Sequence, residues 1–476
     1  MSSTALPATP AVEIYYAQRA NAPIWFRDGA SAEAAKLLPA MLRRAPLDGL
    51  ANGAELASMV EAALARAASP AITTTATAAA AAKLPPHFAE EKLLSAVWVQ
   101  YVRNLKAPVP GMVYGDSALE PRQPTAERVL IDASKAPSLL QHVEAVAAVN
   151  PLYSQLRDAA LTQMGGSAQL GVLAPDPRVL ANLARARIIP PSGRYIVVNA
   201  ATAQLWMYDD GRVTDTMKVI VGKRDTQTPL LAGTIHYVTF NPYWNIPTDV
   251  ARRAVAPLVV KRGVAYLRAA RYQVTTNWTA GGSLIEPDTI DWKAVAAGTA
   301  DVHLRQLPGP RNMMGAIKFG FANDLGIYLH DTPHKDLFAK DKRNFSLGCV
   351  RLEDAKRLAQ WVLGREPVAP SDEPEQNVQI PHGVPVFITY LTAHADNGQL
   401  AFANDVYGRD PKAEGLADVQ IATAPAATAS ADSELAPVSA PVSASVVTTE
   451  MRLTPAPAAI PAASTPASLP VTSIDH

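Results

Sequence analysis

A chain of 476 residues is too long for one ordinary hydrophobic core and calls for two or three structural units. Its 43 lysines and arginines balance 43 aspartates and glutamates, so net charge gives no argument for nucleic acid or an anionic membrane as partner. One cysteine, Cys349, excludes an internal disulfide and a multi-thiolate metal site.

The opening residues carry no basic segment followed by an apolar one, so no secretory signal is visible, and no apolar run reaches the ~18 residues of a transmembrane helix. Apolar residues recur at helical spacing over 33–44, 55–67, 90–105, 138–149 and 152–164. These predict a mostly helical scaffold over residues 1–190, with its aromatic residues packed in the core. The Ala/Thr-rich stretch 73–82 and the Pro/Gly-rich stretch 106–124 read as loops or linkers.

From residue 191 the pattern changes to short strands at 194–199, 204–208, 216–221, 235–240 and 385–390, with Asp209-Asp210-Gly211 as a turn. Many strands and tight turns predict a mostly antiparallel β unit over 191–410. A long insertion occupies about 248–305. Just before it, Trp244 and Asn245 follow a strand and either line a substrate cleft or close a core. His303 and His334 read as ordinary polar residues, because two histidines without a third ligand make no zinc site. Neither a metal nor a cofactor is expected.

The stretch from Gly326 to Leu352 carries the chemistry. A thiol needs a base within reach and backbone N–H groups to receive a developing oxyanion. Here 327–330 reads as a strand ending on His330, the candidate base, with Asp331 or its backbone carbonyl as a possible orienter of the imidazole. The run from Ser346 to Arg351 places Gly348 just before the nucleophile, so the amides of Gly348 and Cys349 are the expected oxyanion donors. In an extended segment Arg351 shares a face with Cys349 and could hold a substrate carboxylate. Residues 353–364 read as a helix ended by Gly364. The remainder, 411–476, is an Ala/Pro/Ser/Thr-rich tail expected to be disordered, and a cut beyond about Gly408 is expected to leave the chemistry intact.

The ordered combination of His330-Asp331-Thr332-Pro333, a basic loop, and Ser346-Leu347-Gly348-Cys349-Val350-Arg351 resembles the catalytic stretch of the L,D-transpeptidases, the YkuD-type cysteine enzymes that cross-link peptidoglycan. Leu347 stands where many members carry histidine, and Arg351 where many carry asparagine; the arginine form resembles the large periplasmic Gram-negative branch. The segments Ile14 to Arg19, Arg194 to Asn199, Asn241 to Pro247 and Gln306 to Asn312, with Lys318-Phe319, extend the likeness. The resemblance implies an α+β multidomain architecture: a helical scaffold, a β-sandwich catalytic domain and an inserted capping subdomain. The peptidoglycan-binding module of that branch is reduced or absent here. It also implies a periplasmic acyltransferase acting on peptidoglycan stem peptides and open to acylation by carbapenems. Cys349 and His330 would be catalytic, with Ser346, Tyr328, Trp244, Asn245 and Arg351 around the substrate. The product expected is the 3-3 cross-link. A 1-3 link with L-Ala as donor, L,D-carboxypeptidase hydrolysis and a catalytically decayed wall-binding protein are the alternatives.

Overall fold

The computed structural model describes residues 9–69, 84–165, 175–279 and 282–411. All of them belong to the unit Met1–Ser443; the second unit, Ala444–His476, contains none. The Ala/Thr stretch 73–82, the Gly-rich stretch after Gly165 and the tail from residue 412 lie outside the described residues.

The front end is helical: α1 (Thr9–Ala17), α2 (Gly29–Arg44), α3 (Gly53–Ala68), α4 (Phe88–Leu105), α5 (Ala126–Lys135), α6 (Leu139–Ala148), α7 (Pro151–Gln163) and α8 (Pro177–Ala186). Short polar side chains start the later ones. Thr125, Ser138, Asn150 and Asp176 each accept a hydrogen bond from a first-turn amide, which satisfies a donor the helix itself cannot. Trp25, Trp98, Tyr16, Leu38, Leu42 and Val60 are buried together in the scaffold core. Buried Glu91 ties the chain into that core: its carboxylate accepts from the amides of Ile24 (2.7 Å), Trp25 (3.0 Å) and Phe26 (3.1 Å). The stretch 106–124, expected to be only a linker, contains a short strand, β1 (Val113–Tyr114), that pairs in parallel with the catalytic sheet.

The catalytic half contains β2 (Tyr195–Asn199), β3 (Gln204–Asp209), β4 (Arg212–Gly222), β5 (Leu231–Phe240), β10 (Ile317–Gly320), β11 (Leu329–His330), β12 (Asn344–Ser346), β13 (Val350–Leu352) and β14 (Gln376–Thr389). Asp210 and Gly211 both take positive φ, +47° and +76°, the requirement of the two-residue hairpin turn that joins β3 to β4. Pairing runs β5-β10-β11-β13-β4-β3-β2-β14, and β14 pairs with β5 as well, so the sheet closes on itself. Ile196, Val219, Val238, Phe319, Leu329, Val350 and Leu352 fill its interior, sealed by helix α12 (Ala355–Leu363).

Residues after β5 form a separate four-stranded sheet in the order β6-β9-β7-β8: β6 (Trp244–Ile246), β7 (Tyr272–Thr275), β8 (Leu284–Ile285) and β9 (His303–Gln306). Helices α9 (Ala256–Arg262), α10 (Ala265–Ala269) and α11 (Trp292–Ala297) accompany it, around its own core of Ile246, Val255, Leu267, Trp292 and Leu304. After β14 a hairpin of β15 (Ala393–Asp396) and β16 (Gln399–Phe402) packs with α7 and α8 through Leu391, Ala393, Tyr153, Leu156 and Leu183. Scaffold and sheet therefore share a core.

Candidate active site

Strand register assembles the site. Thr239, Lys318, His330, Arg351 and Ile220 are successive partners across β5, β10, β11, β13 and β4. Their neighbours Val238, Phe319, Leu329, Val350 and Val219 point into the closed sheet, so this row lies on its other face. His330 thus stands between two cations, each one strand away, a spacing of about 4.8 Å. Cys349 immediately precedes β13, two residues before Arg351, and alternation puts it on the same face, diagonal to His330. The pairing that sets this is the hydrogen bond from Val350 N–H to Tyr328 O at 2.9 Å.

The imidazole is oriented by backbone. His330 Nδ1 lies 2.5 Å from the Asp331 carbonyl oxygen, which makes Nδ1 the protonated nitrogen and leaves the lone pair on Nε2. The Asp331 carboxylate is engaged elsewhere, accepting from Ala316 N (2.9 Å) and Lys335 Nζ (2.6 Å). The carbonyl is the orienter, and the carboxylate holds the turn.

Around Cys349, Ser346 Oγ donates to Cys349 O at 2.6 Å and accepts from Gly348 N at 3.1 Å. The Gly348 amide, expected as one of two oxyanion donors, therefore has a partner of its own in Ser346. Gly348 is needed for its backbone, at φ +120°, where a Cβ would also come within 3.2 Å of Ile327. The thiol donates to Gly326 O at 3.6 Å, and the Tyr328 amide hydrogen-bonds the sulfur. Behind the loop, buried Thr228 accepts from Gly222 N (2.9 Å) and donates to Gly348 O (2.7 Å), while Tyr407 donates to Gly222 O (2.8 Å).

Arg409 extends that support. It donates to Gln227 Oε1 (2.9 Å) and Thr228 O (3.0 Å), and Asp410 pairs with Arg185 of α8 at 2.7 Å. A cut at Gly408 would therefore remove working parts of the catalytic unit, contrary to the expectation from composition. A chain ending at Pro411 should turn over substrate like the full chain, and one ending at Gly408 should lose about 3–6 kcal/mol of stability, about 1.5–3 for each of the two charged residues removed, together with activity. Thermal unfolding and turnover of the two truncations check this.

Burial, then Arg351, and to a smaller extent Lys318 hold the His330 imidazole down at about 3, against the pull of the Asp331 carbonyl. Burial likewise pushes the Cys349 thiol above its ordinary value, opposed by the Tyr328 amide and Arg351. The resting pair is neutral thiol and neutral imidazole. This has a stability consequence. The unfolded chain takes up a proton on His330 below its ordinary pKa of 6.5, and the folded chain refuses it until about 3. Stability from this group is thus fully present above about 6.5 and is lost as pH falls toward 3, by up to about 1.4 kcal/mol per pH unit. Urea unfolding of the wild type and His330→Gln across that range should show a shallower slope in the variant; half-buried His142 acts in the same direction in both and drops out of the difference.

Arg351 is half-buried, its buried Nε makes no hydrogen bond, and among the described residues it has no carboxylate partner. Tyr328 and Ser346 are at the site as well. Trp244 and Asn245 are not joined to this row: Trp244 packs against the core of the inserted sheet and Asn245 is exposed on it. Leu347 is exposed next to Cys349. His303 meets Trp278 edge-on at 4.9 Å, and no group of three or more His, Cys, Asp or Glu among the described residues could hold a metal ion. Sequence reasoning missed Lys318 as a neighbour of His330, and Thr228 and Tyr407 as supports of the nucleophile loop. Thr228, in the Thr-Gln-Thr-Pro loop after a strand, was the one with a local signal.

Residues 193–388 match the family model of the YkuD L,D-transpeptidase catalytic domain, and residues 10–159 match that of a Scaffold domain. A curated protein of Haemophilus influenzae, provisionally named an L,D-transpeptidase, is 27% identical over 322 residues, 66% of this chain. The chain spans 64% of that relative's length. An L,D-transpeptidase structure from Mycobacterium smegmatis is 12% identical, over 42% of this chain and 59% of that one, with a TM-score of 0.21. One from Xylanimonas cellulosilytica is 12% identical, over 49% and 79%, with a TM-score of 0.20. Over residues 193–388 the chain is thus similar to the YkuD-type catalytic domain of L,D-transpeptidases.

Proposed function

We propose that this protein is a periplasmic cysteine acyltransferase that cross-links peptidoglycan, using Cys349 to break an L,D peptide bond of a donor stem. The observation that carries the reading is an imidazole with Nδ1 fixed by the Asp331 carbonyl, on the same sheet face as the chain's one thiol and beside an unpaired Arg351. His330 Nε2 takes the thiol proton as sulfur attacks the carbonyl of the third stem residue. The oxyanion collects at the Cys349 amide. As the C–N bond breaks, His330 returns the proton to the leaving amine of D-Ala, and a thioester remains. The side-chain amine of diaminopimelate on a second stem then attacks, giving a 3-3 link without ATP.

Substrate itself would ready the base. Arg351 and Lys318 both depress the basicity of His330, so a stem carboxylate bound to Arg351 offsets one of those charges and raises it when substrate is present. Mass analysis of muropeptides from walls made with and without the protein tests the reading. Dimers linked 3-3 are expected. Links of the 1-3 type would move the donor to L-Ala, shortened stems alone would indicate a hydrolase, and an unchanged wall would remove the activity.

A further inference from the structure

A second charged group lies one strand beyond His330. Lys318 pairs in register with His330 on one side and Thr239 on the other. Its Nζ is 3.4 Å from Glu375 Oε2 and 5.5 Å from the centre of the Tyr328 ring. A charged N–H to carboxylate bond is ordinarily about 2.7–2.9 Å, so this pair is loose. Of the three ammonium donors the others have no partner among the described residues. Both side chains are reachable, Lys318 at 18% exposure and Glu375 at 36%.

Glu375, by contrast, is firmly placed. Its Oε1 accepts from Tyr243 N at 2.8 Å and its own amide donates to Asn241 O at 2.9 Å. Glu375 and Asn241 both take left-handed backbone, φ +56° and +50°, which non-glycine residues hold only where their surroundings require it. Asn241 Nδ2 adds bonds to Ser371 O (3.2 Å) and Glu373 O (3.4 Å). A fixed carboxylate beside a loosely held ammonium, next to the base, has the form of a receptor for a group carrying both charges.

We propose that Lys318 and Glu375 are the acceptor subsite, binding the amino-carboxylate end of the incoming diaminopimelate side chain. This rests on the transferase reading above. Lys318 pairs with the carboxylate and Glu375 with the ammonium on the same carbon. Glu375 and His330 flank Lys318 on opposite sides, so the amine leaves Glu375 as it loses its proton and turns, about the carboxylate held on Lys318, toward His330 on the adjacent strand. The ammonium loses one proton to solvent before attack. The second passes to His330 as the C–N bond forms and on to sulfur as the C–S bond breaks. The subsite serves 3-3 and 1-3 linkage equally, since the acceptor is the same.

The test uses the full chain, acylated by a donor tetrapeptide and offered D-methionine or D-methionine amide, which keeps the amine and lacks the carboxylate. Exchange products are measured by mass spectrometry and normalised to acyl-enzyme. The wild type should prefer the acid, and Lys318→Met should lower the acid-to-amide ratio of kcat/KM by about tenfold, the loss of one charged hydrogen bond. The double variant Lys318→Glu, Glu375→Lys keeps an ion pair and should lose the preference too; a merely structural pair would be rescued by the swap. An unchanged ratio in Lys318→Met, or rescue by the swap, overturns the proposal. If Lys318→Met does not fold, Lys318→Gln reads the same ratio. Absence of acyl-enzyme in the wild type sinks the transferase reading, and this proposal with it; acyl-enzyme with an unchanged ratio sinks the subsite alone.

Discussion

Replacing Cys349 by alanine should leave a protein that takes up no acyl group from a carbapenem or a stem tetrapeptide, and His330→Ala should slow that uptake by about 10²–10⁴-fold. The two losses differ because one removes the atom that forms the bond, while the other removes the group that accepts its proton. Burial holds the thiol protonated at rest, so little thiolate stands ready when the base is gone. Intact-protein mass spectrometry checks both. The chain has one thiol, so an adduct on the Cys349→Ala protein would place the acylated atom on another residue type and overturn the assignment.

The substitution Arg351→Lys should lower kcat/KM on a stem peptide by about ten- to a hundredfold, equivalent to a charged hydrogen bond of roughly 1.5–3 kcal/mol. Lysine keeps the charge beside His330 and Cys349 but loses the planar fork that grips a carboxylate at two points. The rate of thiol alkylation by iodoacetamide should therefore stay within a few-fold of wild type while turnover falls. A residue that merely occupies the strand would show no fall in turnover. Near-wild-type turnover would remove Arg351 from the substrate site and leave the Cys349 and His330 roles untouched.

Much of this could be read before any coordinates. The helical periodicities at 33–44, 55–67, 90–105, 138–149 and 152–164 fall within or beside α2, α3, α4, α6 and α7, because a buried stripe leaves a repeat in the chain. Helices α1 and α5 are short and escaped that repeat, although Thr125 after Pro124 marks the start of α5. Cys349 and His330 could be singled out because few residue types can do the chemistry proposed for them. Lys318 was not legible as their neighbour, since strand register is a property of pairing and leaves no local trace. The direction of the Gly348 amide was hidden for a related reason: the glycine is visible in the chain, but the hydroxyl that captures its N–H is found only in the folded loop. Tyr407 reaches Gly222 from the far side of β14, where nothing in its own surroundings announces the role.

The small strand β1 has a consequence for how the protein can be divided. Its amides and carbonyls cover β5 at Leu231 and Ala232, on strand ground that β10, paired at Tyr237 to Phe240, does not reach. Inheritance and folding therefore draw different borders in this chain: the two matched domains end and begin at 159 and 193, whereas the backbone of one completes the sheet of the other. A catalytic fragment cut at the inherited border would carry a bare stretch of strand, an invitation to pair with its own copies, and its self-association would reflect a missing chaperoning strand rather than a defect in the catalytic domain.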